Sequence, residues 1–528
     1  MVLARNGVVA TSQPLASAAG LHMLMEGGNA VDAAVTAAAT LSVVEPTMTG
    51  VGGDLFALVH DGRTVHALNA SGRAPRRATI AALHDRFPDS PLMPSDGIFS
   101  VSVPGAVDGW EQLLARHGTI TLDRALAPAI DHARRGFAVS EVVAGQWHAA
   151  APLLARDASA AATFLPQGRA PSAGEVFTNP RLAATLEALA RDGAKTMYRG
   201  TLAERVAADI ERRGGWLGAR DLFEHRSDWV TPLRTVFRGR EVLELPPNTQ
   251  GLTALQILNL IGDDDLPALG HNSPAYLHLL IEAIRIAFAD RAAHIADPTA
   301  VPSEVVEHLI SSGYAADRRK EIDWKRSADG YAPWRSAGTA HSSRAGTGDT
   351  VCLAAADRHG QLVSVIQSLF GAFGSGVVAG DTGIVLQNRA SLFSTDPSHP
   401  NCLGPAKRPF HTLIPALALE DGRPALAFGV MGGEMQAQGH AQVLANIFAF
   451  GMNVQEAGEA ARARWTEEGV ALESGIAPAA RDGLVTRGHR LIDEPGSFGG
   501  FQGIQIDAER GVLMGGSDPR KDGLAVGY

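Results

Sequence analysis

Small apolar residues recur at helical spacing from Gln13 to Val44 and are interrupted once, at Gly27-Gly28-Asn29. This predicts two packed helices with a glycine C-cap between them. After the glycines of TGVGGD (49–54), LFALVH and VHALNA read as two strands joined by an Asp61-Gly62 turn. Residues 105–215 are helical by Ala/Leu spacing, and Ala275 to Ala296 forms a further helix with Leu279, Leu280, Ala283, Ile284 and Phe288 on one stripe. Between Ile322 and Gly348 the pattern gives way to Ser, Gly, Arg and Ala without a usable period, which predicts an exposed, mobile linker. Immediately after it, Val351 to Ala356 and Leu362 to Gln367 flank the turn tetrad Asp357-Arg358-His359-Gly360. Both strands are apolar or small on both faces, so they belong inside a layered fold.

With 528 residues, 45% hydrophobic and 19% charged, the chain buries a large core and is not a disordered tail. Lys and Arg number 46 against 56 Asp and Glu, a net charge of -10 without a basic run, which argues against nucleic acid as a partner. Two cysteines, Cys352 and Cys402, make no disulfide framework and no metal-ligand cluster, which fits a reducing cytoplasm. The first ten residues, MVLARNGVVA, lack the apolar core of an export signal. The Ala-rich stretch 33–44 is shorter than the ~20 residues a bilayer requires, so no membrane association is expected.

Several common catalytic signatures are missing: GxSxG, HExxH, a Walker loop, and GxGxxG between strand and helix. What stands out is Gly348-Asp349-Thr350, where the polar linker meets a buried strand. Taken alone, a Thr in that place is an ordinary strand start.

The following residues change that reading. GDTVCLAAADRHGQLVSVIQSLFGAFGSGVVAGDTGIVLQNR (348–389), PAKRPFHTLIPALAL (405–419) and FGVMGGEMQAQGHAQVLANIFAFGMNVQEA (428–457) resemble, in order and spacing, the γ-glutamyltranspeptidase family of N-terminal-nucleophile (Ntn) hydrolases. GGNAVDAAVTAAATLSVVEPTMTGVGGD (27–54) and SVSVPGAVDGWEQLLARHGT (100–119) share the family's character, so the resemblance spans nearly the whole chain. It implies an α+β fold, a four-layer αββα sandwich. It also implies a precursor that cuts itself between Asp349 and Thr350 into fragments 1–349 and 350–528, intertwined as one domain and forming a heterodimer that could oligomerise further.

Such a cut has a chemical purpose. A Thr hydroxyl is a weak nucleophile that needs a base. Cleavage frees an α-amine in the same residue, with a reference pKa of about 7.7 to 8.0, so that roughly a tenth or more is free base at neutral pH. Thr350 would then form an acyl ester with a substrate amide, released by water or an amine. By resemblance, Gly432 and Gly433 supply oxyanion N–H donors, and Ser368 stands where the family has a Thr touching the nucleophile. No metal and no cofactor is expected, because the polypeptide supplies nucleophile, base and oxyanion donors.

The substrate anchors differ from those implied for glutathione-cleaving members. Phe370, Arg389 and Leu392 occupy the positions of the Asn, Gln or Glu, and Asp that hold an α-ammonium. His411 and Thr412 replace the two serines that hold the α-carboxylate, and the Arg expected before an Ala-Pro step is Ser71, with Arg73 two places on. A substrate ammonium beside Arg389 would be repelled. Arg73 and Arg389 are instead candidates to grip a carboxylate, since a guanidinium fork makes two parallel hydrogen bonds to it. The combination of IVLQNR (384–389), SHPNCLGPAKRPFHTLIPA (398–416) and SGRAP (71–75) resembles the divergent branch with oxamate amidohydrolase and cephalosporin-acylase-like members, which implies a small amide substrate carrying a carboxylate, either oxamate-like or a longer dicarboxylic acyl amide. A true γ-glutamyl transferase and an uncleaved, non-catalytic scaffold remain the alternatives.

Overall fold

A computed structural model describes residues 1–335, 348–494, 496 and 498–528; the side chain of Asp349 lies outside this description, as does Thr347. Fourteen strands make two antiparallel seven-stranded sheets. They are β1 (Val2–Ala4), β2 (Gly7–Thr11), β3 (Asp54–Asp61), β4 (Val65–Ala70), β5 (Asp228–Val230), β6 (Leu233–Phe237), β7 (Arg240–Glu244), β8 (Asp349–Asp357), β9 (Gln361–Phe370), β10 (Ala416–Glu420), β11 (Arg423–Met431), β12 (Gly500–Asp507), β13 (Val512–Ser517) and β14 (Leu524–Gly527). One sheet runs β1-β13-β12-β11-β10-β7-β6, the other β14-β2-β8-β9-β3-β4-β5.

Alternation along the strands builds the layers. On β8 and β9, Cys352, Ala354, Ala356, Leu362 and Ile366 point between the sheets and meet Leu417, Ala427, Met431 and Ile504 of the opposing sheet. Val351, Leu353, Ala355, Val363 and Val365 point outward against a helical layer that includes α2 (Ala30–Val44) and α3 (Ala106–His117). The other sheet is covered by α4 (Gly251–Ile261), α5 (Pro274–His294) and α6 (Met435–Phe448). The result is the expected four-layer αββα sandwich, and strands apolar on both faces are explained by having a buried layer on each side.

The first helix pair is α1 (Pro14–Met25) followed by α2, with Gly27 at φ 93° and an Asn29–Asp32 capping box opening the second. The hairpins at 61–65 and 357–361 form as expected. No helix among the described residues is long and apolar enough to cross a membrane.

The linker expectation needs correction up to Arg335. Glu282 on α5 accepts hydrogen bonds from the Ser327 hydroxyl (3.1 Å), the Ala328 N–H (3.0 Å) and the Tyr331 hydroxyl (2.7 Å), and Asp290 accepts from the Trp334 N–H at 2.7 Å. Most of 323–335 is exposed, as the polar composition implied; what the sequence did not show is that these groups bond to two carboxylates of one helix. Residues 336–347, the remainder of that expected linker, lie outside the described residues.

Candidate active site

Thr350 is 1% exposed and sits at an irregularity of the β8–β9 ladder: Asp349 pairs with Phe370 and Val351 with Gln367. Two residues, Ser368 and Leu369, therefore face one, Thr350, as in a β-bulge, a device that re-aims side chains. Thr350 Oγ1 donates to Ser368 Oγ at 3.5 Å, and Ser368 Oγ also accepts from the Phe370 N–H at 2.7 Å. The tight fit extends to β3, where a Cβ on Gly53 would stand 2.4 Å from the Ser368 carbonyl oxygen. Sequence reading gave Gly53 no role.

Arg389 is fully buried in the short turn Arg389–Leu392. Its Nη2 donates to Ser368 Oγ at 3.3 Å and its Nη1 to Thr412 Oγ1 at 2.9 Å. Its Nε–H meets no acceptor among the described residues, and Cζ lies 4.4 Å from the centre of the Phe370 ring. Burial pushes its pKa down to about 9, opposed by the charge of Asp54.

Asp54, the first residue of β3, is the register partner of Ser368. Its Oδ1 accepts from the Gly72 N–H (2.9 Å) and Gln387 Nε2 (2.8 Å), and Oδ2 lies 3.1 Å from His411 Nε2. The Leu413 N–H donates to His411 Nδ1 at 3.3 Å, so the proton of the ring sits on Nε2 and points at Asp54. Burial, then Arg389 and Arg408, hold His411 well below its ordinary range, so the contact is a hydrogen bond of a neutral ring rather than an ion pair. Burial pushes Asp54 up to about 6, with Arg389 the leading opposing influence.

Gly432 (φ 112°) and Gly433 (φ 57°) turn the chain from β11 into α6, a backbone that glycine adopts without strain. A Cβ on Gly348 would stand 3.2 Å from Gly433 Cα and 3.0 Å from Phe370 Cε2, so the glycine pair flanks the backbone leading into Asp349-Thr350. Gln250 Nε2 donates to the carbonyls of Gly433 (3.0 Å) and Thr412 (2.7 Å), and Arg291 joins Gln250 Oε1 (3.0 Å) to Glu434 Oε1 (2.6 Å). This brace couples the glycine turn to the 411–413 segment. Beside it, Leu92, Met93, Ile295, Leu392, Phe393 and Phe410 line a small, largely apolar groove.

The structure thus gathers Thr350, Ser368, Phe370, Arg389, Thr412, Gly432 and Gly433, with His411 one step behind. Two expectations change. Arg73 is not part of this cluster: its Nη2 pairs with Asp228 at 3.3 Å beside Arg408, facing a surface cleft, so its fork is already engaged. His411 has both ring nitrogens committed to Asp54 and Leu413 and offers no spare donor to a carboxylate. Asp54 was overlooked. Its sequence signal was an acid opening an otherwise apolar strand, but its side-chain partners, Gln387 and His411, lie more than 300 residues away.

An αββα sandwich with a buried threonine near the start of an inner strand is the architecture of the Ntn hydrolases, and this chain is an amidohydrolase of that class, not a binding scaffold. A sequence profile described as Gamma-glutamyltranspeptidase matches residues 16–528, and the chain belongs to that family of self-processing proenzymes. It is 38% identical to the glutathione hydrolase-like YwrD proenzyme of Bacillus subtilis, over 100% of this chain and 99% of that one. Against the oxamate amidohydrolase proenzyme of Klebsiella pneumoniae it is 36% identical over 99% and 98%. The crystal structure of cephalosporin acylase from Bacillus halodurans superposes with a TM-score of 0.93 at 41% identity, covering 100% of this chain and 96% of that one.

Proposed function

We propose that the chain cuts itself between Asp349 and Thr350 and then hydrolyses the amide of a small, carboxylate-bearing substrate. In the first step the Thr350 hydroxyl adds to the Asp349 carbonyl, and the peptide bond breaks to an ester that water hydrolyses. In the mature enzyme the free α-amine of Thr350 takes the hydroxyl proton as Oγ1 attacks the substrate carbonyl. The N–H groups at Gly432-Gly433 hold the oxyanion, each such donor contributing roughly 3 kcal/mol to the transition state. The leaving amine departs with the proton, and water, or an acceptor amine, releases the acyl group from Thr350.

The observation that carries the substrate assignment is Arg389: a fully buried guanidinium bonded to the oxygen that touches the nucleophile, with an unsatisfied Nε–H. A buried cation calls for an anion, and a planar fork is matched by a carboxylate. A γ-glutamyl substrate would bring its ammonium to the same place and be repelled. Arg389 lies within two hydrogen-bond lengths of Thr350 Oγ1, which favours a carboxylate close to the scissile carbonyl, as in oxamate, over a long dicarboxylic acyl chain. Similarity to an oxamate amidohydrolase supports the same reading.

The test is intact-mass spectrometry of the purified protein followed by ammonia release from oxamate and from glutamine-type amides. Fragments 1–349 and 350–528 with oxamate turnover are expected. Cleavage with γ-glutamyl turnover alone would overturn the role given to Arg389.

A further inference from the structure

Arg389 has Asp54 as the carboxylate whose charge acts on it, yet the two do not form an ion pair among the described residues. Asp54 instead holds the scaffold of the guanidinium. Its Oδ2 receives His411 Nε2–H, the Leu413 N–H closes on the other ring nitrogen, and the residue between them, Thr412, presents Oγ1 to Arg389 Nη1. Its Oδ1 receives the side chain of Gln387, two residues before Arg389. Asp54 thus fastens both segments that aim the fork, and it stands in register with Ser368, which takes the other end of the fork.

We propose that Asp54 is a positioning residue for substrate, which orients Arg389 through His411-Thr412 and competes by its charge with the substrate carboxylate, so that carboxylate binding draws a proton onto Asp54. The proposal rests on the reading of Arg389 as the carboxylate anchor. Two anions around one buried cation repel each other, and the one able to take a proton does so. The charged or titratable groups facing Asp54 are Arg389, Arg408, the neutral His411 ring and the Tyr198 phenol, the remaining contacts being Gly72 N–H and Gln387. Of these, Asp54 is the group that titrates near neutrality, pushed up to about 6 by burial. The Thr350 α-amine has an unperturbed pKa near 8, and the Asp54→Asn variant separates its titration from that of Asp54.

The experiment measures oxalate binding to the mature wild-type protein by calorimetry from pH 5 to 7, in two buffers of different ionisation heat. Affinity weakening by up to about fivefold between pH 6 and 7, with proton uptake on binding, is the expected result. Asp54→Asn should remove both the slope and the uptake. A wild-type affinity that is flat with no uptake, or the same slope in Asp54→Asn, would overturn the proposal; if that variant fails to mature, the wild-type slope and uptake decide. Arg389→Met tests the underlying reading separately. Unchanged oxalate binding there removes the anchor itself, whereas lost binding beside a flat wild-type profile removes Asp54 alone.

Discussion

The guanidinium of Arg389 lies 4.4 Å from the ring centre of Phe370, a residue held at φ 83°. A non-glycine residue in this conformation is strained, and such strain persists where the surroundings fix it. Here the Phe370 N–H is bonded to Ser368 Oγ, and the ring covers a buried cation, a contact worth about 0.5–2 kcal/mol. Phe370 would therefore wall the proposed anion site.

Thr350→Ala should leave a single 528-residue chain without amidase activity, because hydroxyl and α-amine come from the same residue. Thr350→Ser, which keeps both, should still cut. Intact mass reads both variants, and cutting of the Ala variant at the same bond would place the nucleophile elsewhere, for example at Thr347.

Exchanging the anchors should exchange the substrate. Arg389→Gln with Leu392→Asp removes the buried cation and adds an acceptor for an ammonium, at some cost in stability because Leu392 packs with Phe370, Phe410 and Ile295. The ratio of kcat/KM for a γ-glutamyl anilide over that for oxamate should rise at least about tenfold, since like-charge juxtaposition costs several kcal/mol. An unchanged ratio would mean that these positions do not face the substrate.

Gly53→Ala tests how tightly the nucleophile's neighbour is held. The new methyl group meets the Ser368 carbonyl at 2.4 Å, a backbone atom that cannot swing aside. Overpacking of this kind costs about 1–3 kcal/mol, so a lower melting temperature and slower appearance of the two fragments are expected. Cleavage at the wild-type rate would show that Ser368 moves without consequence.

Asp54 also gives a pH signature in stability. Its folded pKa, about 6, lies above the 3.8 of an unperturbed Asp. Below the lower value both states carry the proton. As pH rises toward 6 the unfolded chain releases it first, so this group's contribution to stability declines, by roughly 3 kcal/mol in all. Asp54→Asn does not titrate, so its melting temperature relative to wild type should increase between pH 4 and pH 7, measured in a Thr350→Ala background to keep one chain. A constant difference would place the ionisation of Asp54 outside that interval.

Strands apolar on both faces, the helical stripe of α5 and the two hairpins were legible because each is a local pattern with a fixed period. Thr350, Ser368 and the Gly432-Gly433 pair were proposed through motif resemblance. The contacts between blocks were not legible. Nothing near Arg73 in the chain announces Asp228, and nothing near Asp54 announces Gln387 or His411, because those pairs are made by the sheets and not by sequence spacing. The segment before Arg335 is largely exposed as its composition implied, but its anchoring was hidden for a related reason: Ser327, the Ala328 N–H and Tyr331 bond to Glu282, on a helix 45 to 49 residues earlier.

The strand order gives the proposed cut an asymmetric character in time. Between β2 and β3, both from the first 349 residues, lie β8 and β9 from the remainder, while β10 to β13 lie between β1 and β7 in the other sheet. Severing Asp349 from Thr350 would break one covalent bond at the first residue of β8 and leave the pairs from Val351 onward in place, so the fragments would stay locked together. Once melted, however, the pieces would have to find each other from solution and rebuild two interleaved sheets without the linkage that first brought them into register. The uncut precursor is then the species with reversible folding, and the mature enzyme endures by the slowness of its unfolding.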